Sequence, residues 1–259
     1  MFYPSSGTRN VDSFDNPAIP LEIIPFIKET GARNMKKDES LALNPPDPQH
    51  AYLRFYGWEP FCLSLGYHQD SGIINKKRLA DNGFHWIKRP TGGRAIFHAE
   101  ELTYCAVFPK TIITAKHLYK ILHTCIAKAM QLLGYDVQLA PDDTILPRIS
   151  SDMASDSPCF TKPAPTEIRM NGKKIVGSAQ RVYPLTILQH GSILIGTKHK
   201  SLPQFLQITE EERNTMAAEL DQKTICLNEV AAIPKLKEKL MNGILKQLEL
   251  SRICYLNYY

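Results

Sequence analysis

Two adjacent glycines, Gly92 and Gly93, stand between two arginines in RPTGGRAIFHAEELTYCAVFP, residues 89–109. A glycine pair ahead of a strand brings the backbone close to a ligand, because no Cβ intervenes and the N–H groups point inward. Phosphate is the first candidate for such a loop. A P-loop, however, needs four residues between its glycines and then Gly-Lys-Ser/Thr opening a helix, and a dinucleotide fingerprint needs GxGxxG between a strand and a helix; neither pattern is present. Residues 94–98 and 102–109 read instead as two strands rich in Ile, Phe, Thr, Tyr and Val across the polar turn Ala99-Glu100-Glu101, so the glycines are expected to feed a hairpin. On this stretch alone a tight turn without a ligand is the simpler reading.

The other reactive groups are thiols. Six cysteines, at 62, 105, 125, 159, 226 and 254, form no CxxC pair and do not cluster with histidine at ligand spacing. Reduced thiols are therefore expected, rather than a disulfide framework or a zinc site, and no metal is assigned. Cys62 and Cys105 lie in apolar strand patterns and Cys125 on the buried face of a helix, where packing is the default role. Cys226 and Cys254 have apolar neighbours and no partner that singles them out. Cys159 ends a run rich in Pro, Ser and Asp that reads as a long loop, and there an idle thiol and a nucleophile stand as open alternatives.

The elements that must position these groups follow from periodicity. The chain of 259 residues, 43% hydrophobic and 22% charged, suits one large soluble domain or one domain with a small appendage. A net charge of +5 is too small and scattered to argue nucleic acid and is compatible with an acidic protein partner. No run approaches the roughly 18 apolar residues of a membrane helix. The N-terminus lacks a basic region followed by an apolar core, so a cytoplasmic protein is expected. Helices are expected over 34–43, capped by Asn34, over 74–80, and over 115–133, where Leu118, Leu122, Cys125, Ala129 and Leu132 recur at helical spacing before Gly134. Strands are expected over 51–58 and 61–67, paired across Glu59-Pro60, and over 85–88, 135–140 and 185–195. Asn171-Gly172 between β-patterned runs signals a hairpin. The segments 210–219 and 236–250 return to helical spacing.

RPTGGRAIFH, NGKKIVGSAQ and LQHGSIL, in this order, resemble the lipoate and biotin ligase superfamily, and within it the octanoyltransferases of the LipM type. The likeness runs from TGARNMKKDESLAL through FYGWEPFCLSLGYHQ and past HGSIL, most of the chain from about residue 30. It implies an α+β fold of the class II aminoacyl-tRNA synthetase and biotin ligase type, a mixed sheet flanked by helices. By that likeness 1–25 is an irregular lead-in, 26–200 the catalytic domain and 201–259 a helical extension packed on it. The resemblance also implies an acyl tunnel lined by Arg89, Thr91, Gly92, Gly93, Arg94, Ala95, His98, Gly177, Ser178, Ala179, His190 and Gly191, with Ile96 or Phe97 alternating with His98 around its wall. Lys174 matches the family's lysine, whose ammonium polarises an acyl carbonyl; Lys173, one residue earlier on a strand, is expected to face the other way. Cys159 in SPCF matches the nucleophile of these transferases, with Pro158 where alanine is usual. Its thiolate would be favoured by Lys174, Arg89 or Arg94 if the fold brings one near.

What the likeness implies is octanoyl transfer from acyl carrier protein through a cysteine thioester to a lysine of a lipoyl domain, such as the glycine-cleavage H protein, without a cofactor. The alternatives are an ATP- and magnesium-dependent lipoate ligase and an inactive carrier-binding relative. Thr166-Glu167 stands where ligases typically have Asn-Asp, which favours the transferase.

Overall fold

The computed structural model describes residues 18–140 and 167–257; Cys159 and Pro158 lie outside the described residues. In chain order the strands are β1 (Ile19–Glu29), β2 (Ala51–Trp58), β3 (Cys62–Leu65), β4 (His85–Lys88), β5 (Ile96–His98), β6 (Leu102–Pro109), β7 (Gln138–Leu139), β8 (Ile168–Met170), β9 (Lys173–Lys174), β10 (Val176–Val182), β11 (Thr186–Ile193) and β12 (Cys254–Asn257). The helices are α1 (Gly31–Leu43), α2 (Lys76–Asp81), α3 (Ala115–Leu132), α4 (Glu210–Lys223) and α5 (Leu236–Leu250).

All eight residues of β2 and of β6 are buried, because the main sheet is covered on both faces. Successive side chains on a strand point to opposite faces. Ala51, Leu53 and Phe55, with Leu102, Tyr104, Ala106 and Phe108, join the core that α3 and α5 cover. Tyr52, Tyr56 and Trp58, with Cys105 and Val107, join the smaller core under Met35 and Ala42 of α1. The sheet runs β10-β11-β6-β2-β1-β12 and is mixed, with β1 parallel to both β2 and β12 and the other pairs antiparallel. A second sheet, β4-β3-β5, packs Leu63, Leu65 and Phe97 against Leu202 and Phe205 and against Met216 and Leu220 of α4. The third, β7-β8-β9, carries the expected hairpin: Asn171 and Gly172 take φ of 52° and 73°, the left-handed pair that such a two-residue turn requires.

Several expectations are corrected. Residues 1–25 are not irregular throughout, because Ile19–Glu29 forms β1 inside the main sheet. β2 and β3 do not pair with each other, and neither do β5 and β6: in each case the chain passes from one sheet to the other, so the glycine loop does not feed a hairpin. Helix α1 begins at Gly31 with Thr30 as its cap, its side chain accepting from the Arg33 N–H. Asn34 lies inside that helix, buried beside Met35 and Asp38. Only Gln138–Leu139 of 135–140 is strand. Leu132 is 71% exposed, while the remaining α3 positions expected in the core are buried. Among the described residues no helix is long and apolar enough to cross a membrane.

The C-terminal helices belong to the same body. α5 buries Leu240, Ile244 and Leu248 in the core it shares with α3, and β12 adds a strand to the main sheet. The end of α4 also holds β9: the Ile225 N–H donates to the Lys174 carbonyl at 3.1 Å and the Lys173 ammonium to the Asp221 carbonyl at 2.8 Å.

Beside this junction His199 is buried with Nε2 2.9 Å from the Thr224 hydroxyl, and burial pushes its pKa from 6.5 down to about 4 against an opposing Gly196 carbonyl. The fold thus keeps this imidazole neutral where the unfolded chain takes up a proton. Stability then falls as the pH drops through 6.5 towards 4, by about 2 kcal/mol at pH 5 from this group. Urea midpoints measured from pH 7 to pH 5 are expected to decline, and His199→Gln is expected to flatten that slope; a variant slope equal to the parent's would locate the titration elsewhere.

Candidate functional site

A narrow cleft of about 30 Å³ lies where α1, the α1-side face of the main sheet and the glycine loop meet. Its apolar walls are Met35, Tyr56, Trp58 and Ile96. The opposite side is formed by Gly177, Ser178 and Ala179 of β10 with Gly191 of β11. Arg89, His98, Thr103, His190 and Ser192 supply polar groups. The lining of the cleft, apolar with a few placed polar groups, has the chemistry of an aliphatic-chain site, and at this volume the walls must part for a chain to enter.

The loop beside it is shaped by Arg89. This buried guanidinium donates to the carbonyls of Gly92 (2.9 Å), Arg94 (2.8 Å) and Ser64 (3.3 Å) and to the Ser64 hydroxyl (3.1 Å). Gly93 has φ of 97°, a region that favours glycine. Its carbonyl presses on Gly66: a Cβ added there would stand 1.8 Å from that oxygen. Gly66→Ala is therefore expected to displace the braced loop and to cost about 1–3 kcal/mol, read as a lowered melting temperature together with weakened acyl binding; unchanged values for both would separate loop shape from the site. A Cβ on Gly92, by contrast, would meet nothing within 4 Å, so the main chain there faces open space.

Two histidines line the cleft, each fixed at both nitrogens. His98 Nδ1 is 2.5 Å from Glu101 and Nε2 2.7 Å from the Ser64 hydroxyl, and its ring stacks on Trp58 at 3.9 Å. Burial lowers the His98 pKa although Glu101 opposes it. Burial would raise Glu101, but the histidine and the Ala99 N–H outweigh it and hold the carboxyl below its ordinary range. A neutral imidazole with its proton on Nδ1 fits both directions: Nδ1–H donates to Glu101, while the Ser64 hydroxyl receives from Arg89 and donates to Nε2. His190 is held between Asp38 (3.0 Å from Nδ1) and the Thr91 hydroxyl (2.6 Å from Nε2). Asp38, fully buried, also accepts from Arg54 at 2.6 Å and from the Tyr56 hydroxyl at 2.8 Å.

Of the residues expected in the tunnel, Arg89, His98, Gly177, Ser178, Ala179, His190 and Gly191 line the cleft. The Ser178 hydroxyl is engaged by Tyr104 at 2.7 Å and His123 at 2.9 Å. Thr91 acts through His190, while Gly92, Gly93, Arg94 and Ala95 build the loop without lining the cleft. Ile96 rather than Phe97 takes the wall, and Phe97 packs on Phe205. Lys174 is buried with its ammonium 2.5 Å from Glu167, whose second oxygen meets Arg169 at 2.9 Å, and Lys173 is turned outward as expected. Lys174 is not itself a cleft residue; it stands just ahead of the 177–179 wall. Cys62, Cys105, Cys125, Cys226 and Cys254 are buried free thiols. Among the described residues no cluster of His, Cys, Asp or Glu is placed to hold a metal ion.

Sequence reasoning missed Met35, Tyr56, Trp58, Asp38 and Glu101. One signal was available: Asn34 and Asp38 share the i,i+4 face of α1 with apolar neighbours, where an unpaired carboxylate would be costly and a cation such as Arg54 is implied.

The model of the lipoyl protein ligase A/B catalytic domain matches residues 30–249. The chain belongs to this family. Among its relatives are proteins named octanoyltransferase LipM: that of Lysinibacillus sphaericus is 33% identical over 233 residues, covering 84% of this chain and 83% of the relative. The Bacillus subtilis protein is 33% identical over 206 residues, covering 77% and 74%. Family architecture is also seen in solved structures. A bipartite lipoate protein ligase of Thermoplasma acidophilum superposes with a TM-score of 0.70 at 16% identity over 94% of this chain and 86% of the other. A lipoate-protein ligase A bound with ATP gives 0.69 at 16% identity over 93% and 88%. The family match runs through α4 and to residue 249 of α5.

Proposed function

We propose that this chain is an octanoyltransferase of protein lipoylation, moving an octanoyl group from acyl carrier protein through a Cys159 thioester to a lysine of a lipoyl domain such as the glycine-cleavage H protein. The observation that carries the reading is the slot between Met35, Tyr56, Trp58 and Ile96 and the side-chain-poor wall at 177–179 and 191, in a chain one-third identical to octanoyltransferases. Met35 is the yielding member of that wall, since an unbranched thioether side chain adapts as an acyl chain enters.

In the first half-reaction the Cys159 thiolate attacks the donor thioester carbonyl, and the carrier thiol departs with the proton that Cys159 gave up. The exchange is nearly balanced, so the acyl group stays activated. In the second the acceptor amine attacks the enzyme thioester, loses its proton and restores the Cys159 thiol. Lys174, held by Glu167, is assigned to the oxygen on which charge develops in both steps.

The test is to incubate the protein with octanoyl-acyl carrier protein without ATP and to follow intact mass. The expected result is an octanoyl adduct that Cys159→Ser removes and that a lipoyl domain discharges. Activity only with ATP, magnesium and free acid would instead identify a ligase; carrier binding with no adduct would identify a non-catalytic relative.

A further inference from the structure

Behind the cleft lies a roomier cavity of about 360 Å³, and Trp58 forms a wall of both. This volume falls in the roughly 300–1,000 Å³ range of small-molecule sites. The chemistry of its rim differs from that of the cleft. Lys28 of β1 and Lys237 in the first turn of α5 both face it, together with the carboxamide residue Asn228. Among the described residues neither lysine has a carboxylate within ion-pair distance: Lys237 donates to the main-chain oxygen of Glu101 at 2.8 Å, and Lys28 is in no salt bridge. Glu100, the acid on the rim, is turned to the Lys198 N–H at 3.3 Å. Gly57 lets the Lys28 stem lie across β2, since a Cβ there would stand 3.0 Å from Lys28 Cγ. Burial above all depresses the Lys237 pKa; Glu101 and, less strongly, Glu100 oppose this, and the like charge of Lys28 adds to it, an unfavourable balance that an anion beside the two ammonium groups relieves. Trp58, Phe61, Ala99 and Ile195 supply the apolar part of its lining.

We propose that this cavity is a second binding site, for a small amphipathic anion whose carboxylate or phosphate head lies between Lys28 and Lys237 and whose apolar body packs on Trp58 and Phe61. The site is distinct from the acyl cleft and stands whether or not that cleft carries octanoyl.

The chain has two tryptophans, Trp58 and Trp86, so Trp86→Phe leaves Trp58 as the sole indole reporter. In that background, and with Ala179→Leu filling the acyl cleft that Trp58 also lines, octanoate and octyl phosphate are expected to shift Trp58 emission saturably, octanol is not, and the tighter of the two anions names the head group. Lys28→Gln with Lys237→Gln is expected to weaken binding at least tenfold, each single change carrying part of the loss with the melting temperature retained. Ala179→Leu, which fills the acyl cleft, is expected to leave the response in place. With the acyl cleft filled, an equal response to octanol, no saturable shift, or unchanged affinity in the lysine variants would each overturn the site, as would loss of the response on introducing Ala179→Leu.

Discussion

Lys174→Ala is expected to slow octanoyl transfer by about 10²–10³-fold, the usual consequence of removing one donor aimed at a developing oxyanion. The same change leaves Glu167, only 2% exposed, with Arg169 as its ion-pair partner, so stability falls as well. The two effects separate in a double variant. Lys174→Ala combined with Glu167→Gln removes the buried, half-compensated carboxylate, and since Arg169 is more than one-third exposed and can turn to water, it is expected to regain part of the lost melting temperature while leaving transfer slow. Recovery of rate along with stability would reduce Lys174 to a structural cation and remove it from the chemistry.

Asp38→Ala carries the largest expected loss of stability. It strips Arg54, 1% exposed, of its carboxylate, and frees the Tyr56 hydroxyl and His190 Nδ1 as well. Breaking a buried ion pair from one side costs about 3–5 kcal/mol, which for a chain of this size lowers Tm by on the order of 10 °C. Exchanging both partners, Asp38→Leu with Arg54→Met, is expected to restore the part of that loss due to the charge, because an apolar pair leaves none uncompensated, while the Tyr56 hydroxyl and His190 Nδ1 still lack their acceptor. Calorimetric melting reads both. A loss below about 1 kcal/mol for the single variant would mean that water reaches Arg54 and that the cluster is not the dry keystone of the α1-side core. Transfer activity should decline with it, since His190 loses the contact that orients its ring on the cleft.

The sequence told more about which residues are buried than about which strands meet. Periodicity reveals the face of a strand, not its neighbour, so β2 and β3 read as a pair although each joined a different sheet. The long α3 and the Asn171-Gly172 turn were legible because their signals are local. β1 was hidden by Pro20 and Pro25, residues that count against a strand. The register shift between Ile24 and Ile27 explains how the second of them is accommodated, since a bulge tolerates the missing N–H. β12 has only four residues and its place depends wholly on β1. At the site, the ordered motifs located both histidines and the 177–179 wall. They did not distinguish an arginine that touches ligand from one that braces a loop, nor did they expose the Asp38–Arg54 pair, whose members are 16 residues apart and meet only through folding.

Arg89 grips oxygens that every amino acid carries. The curve of the 91–95 segment is therefore held through main-chain oxygens, with Thr91 and Ala95 buried beneath it, and drift at the residues that line the cleft, such as Met35 or Ile96, would retune what the enzyme accepts without remodelling the frame. A scaffold clamped in this way is well suited to diversification, with one gripping cation conserving shape while the substrate repertoire moves.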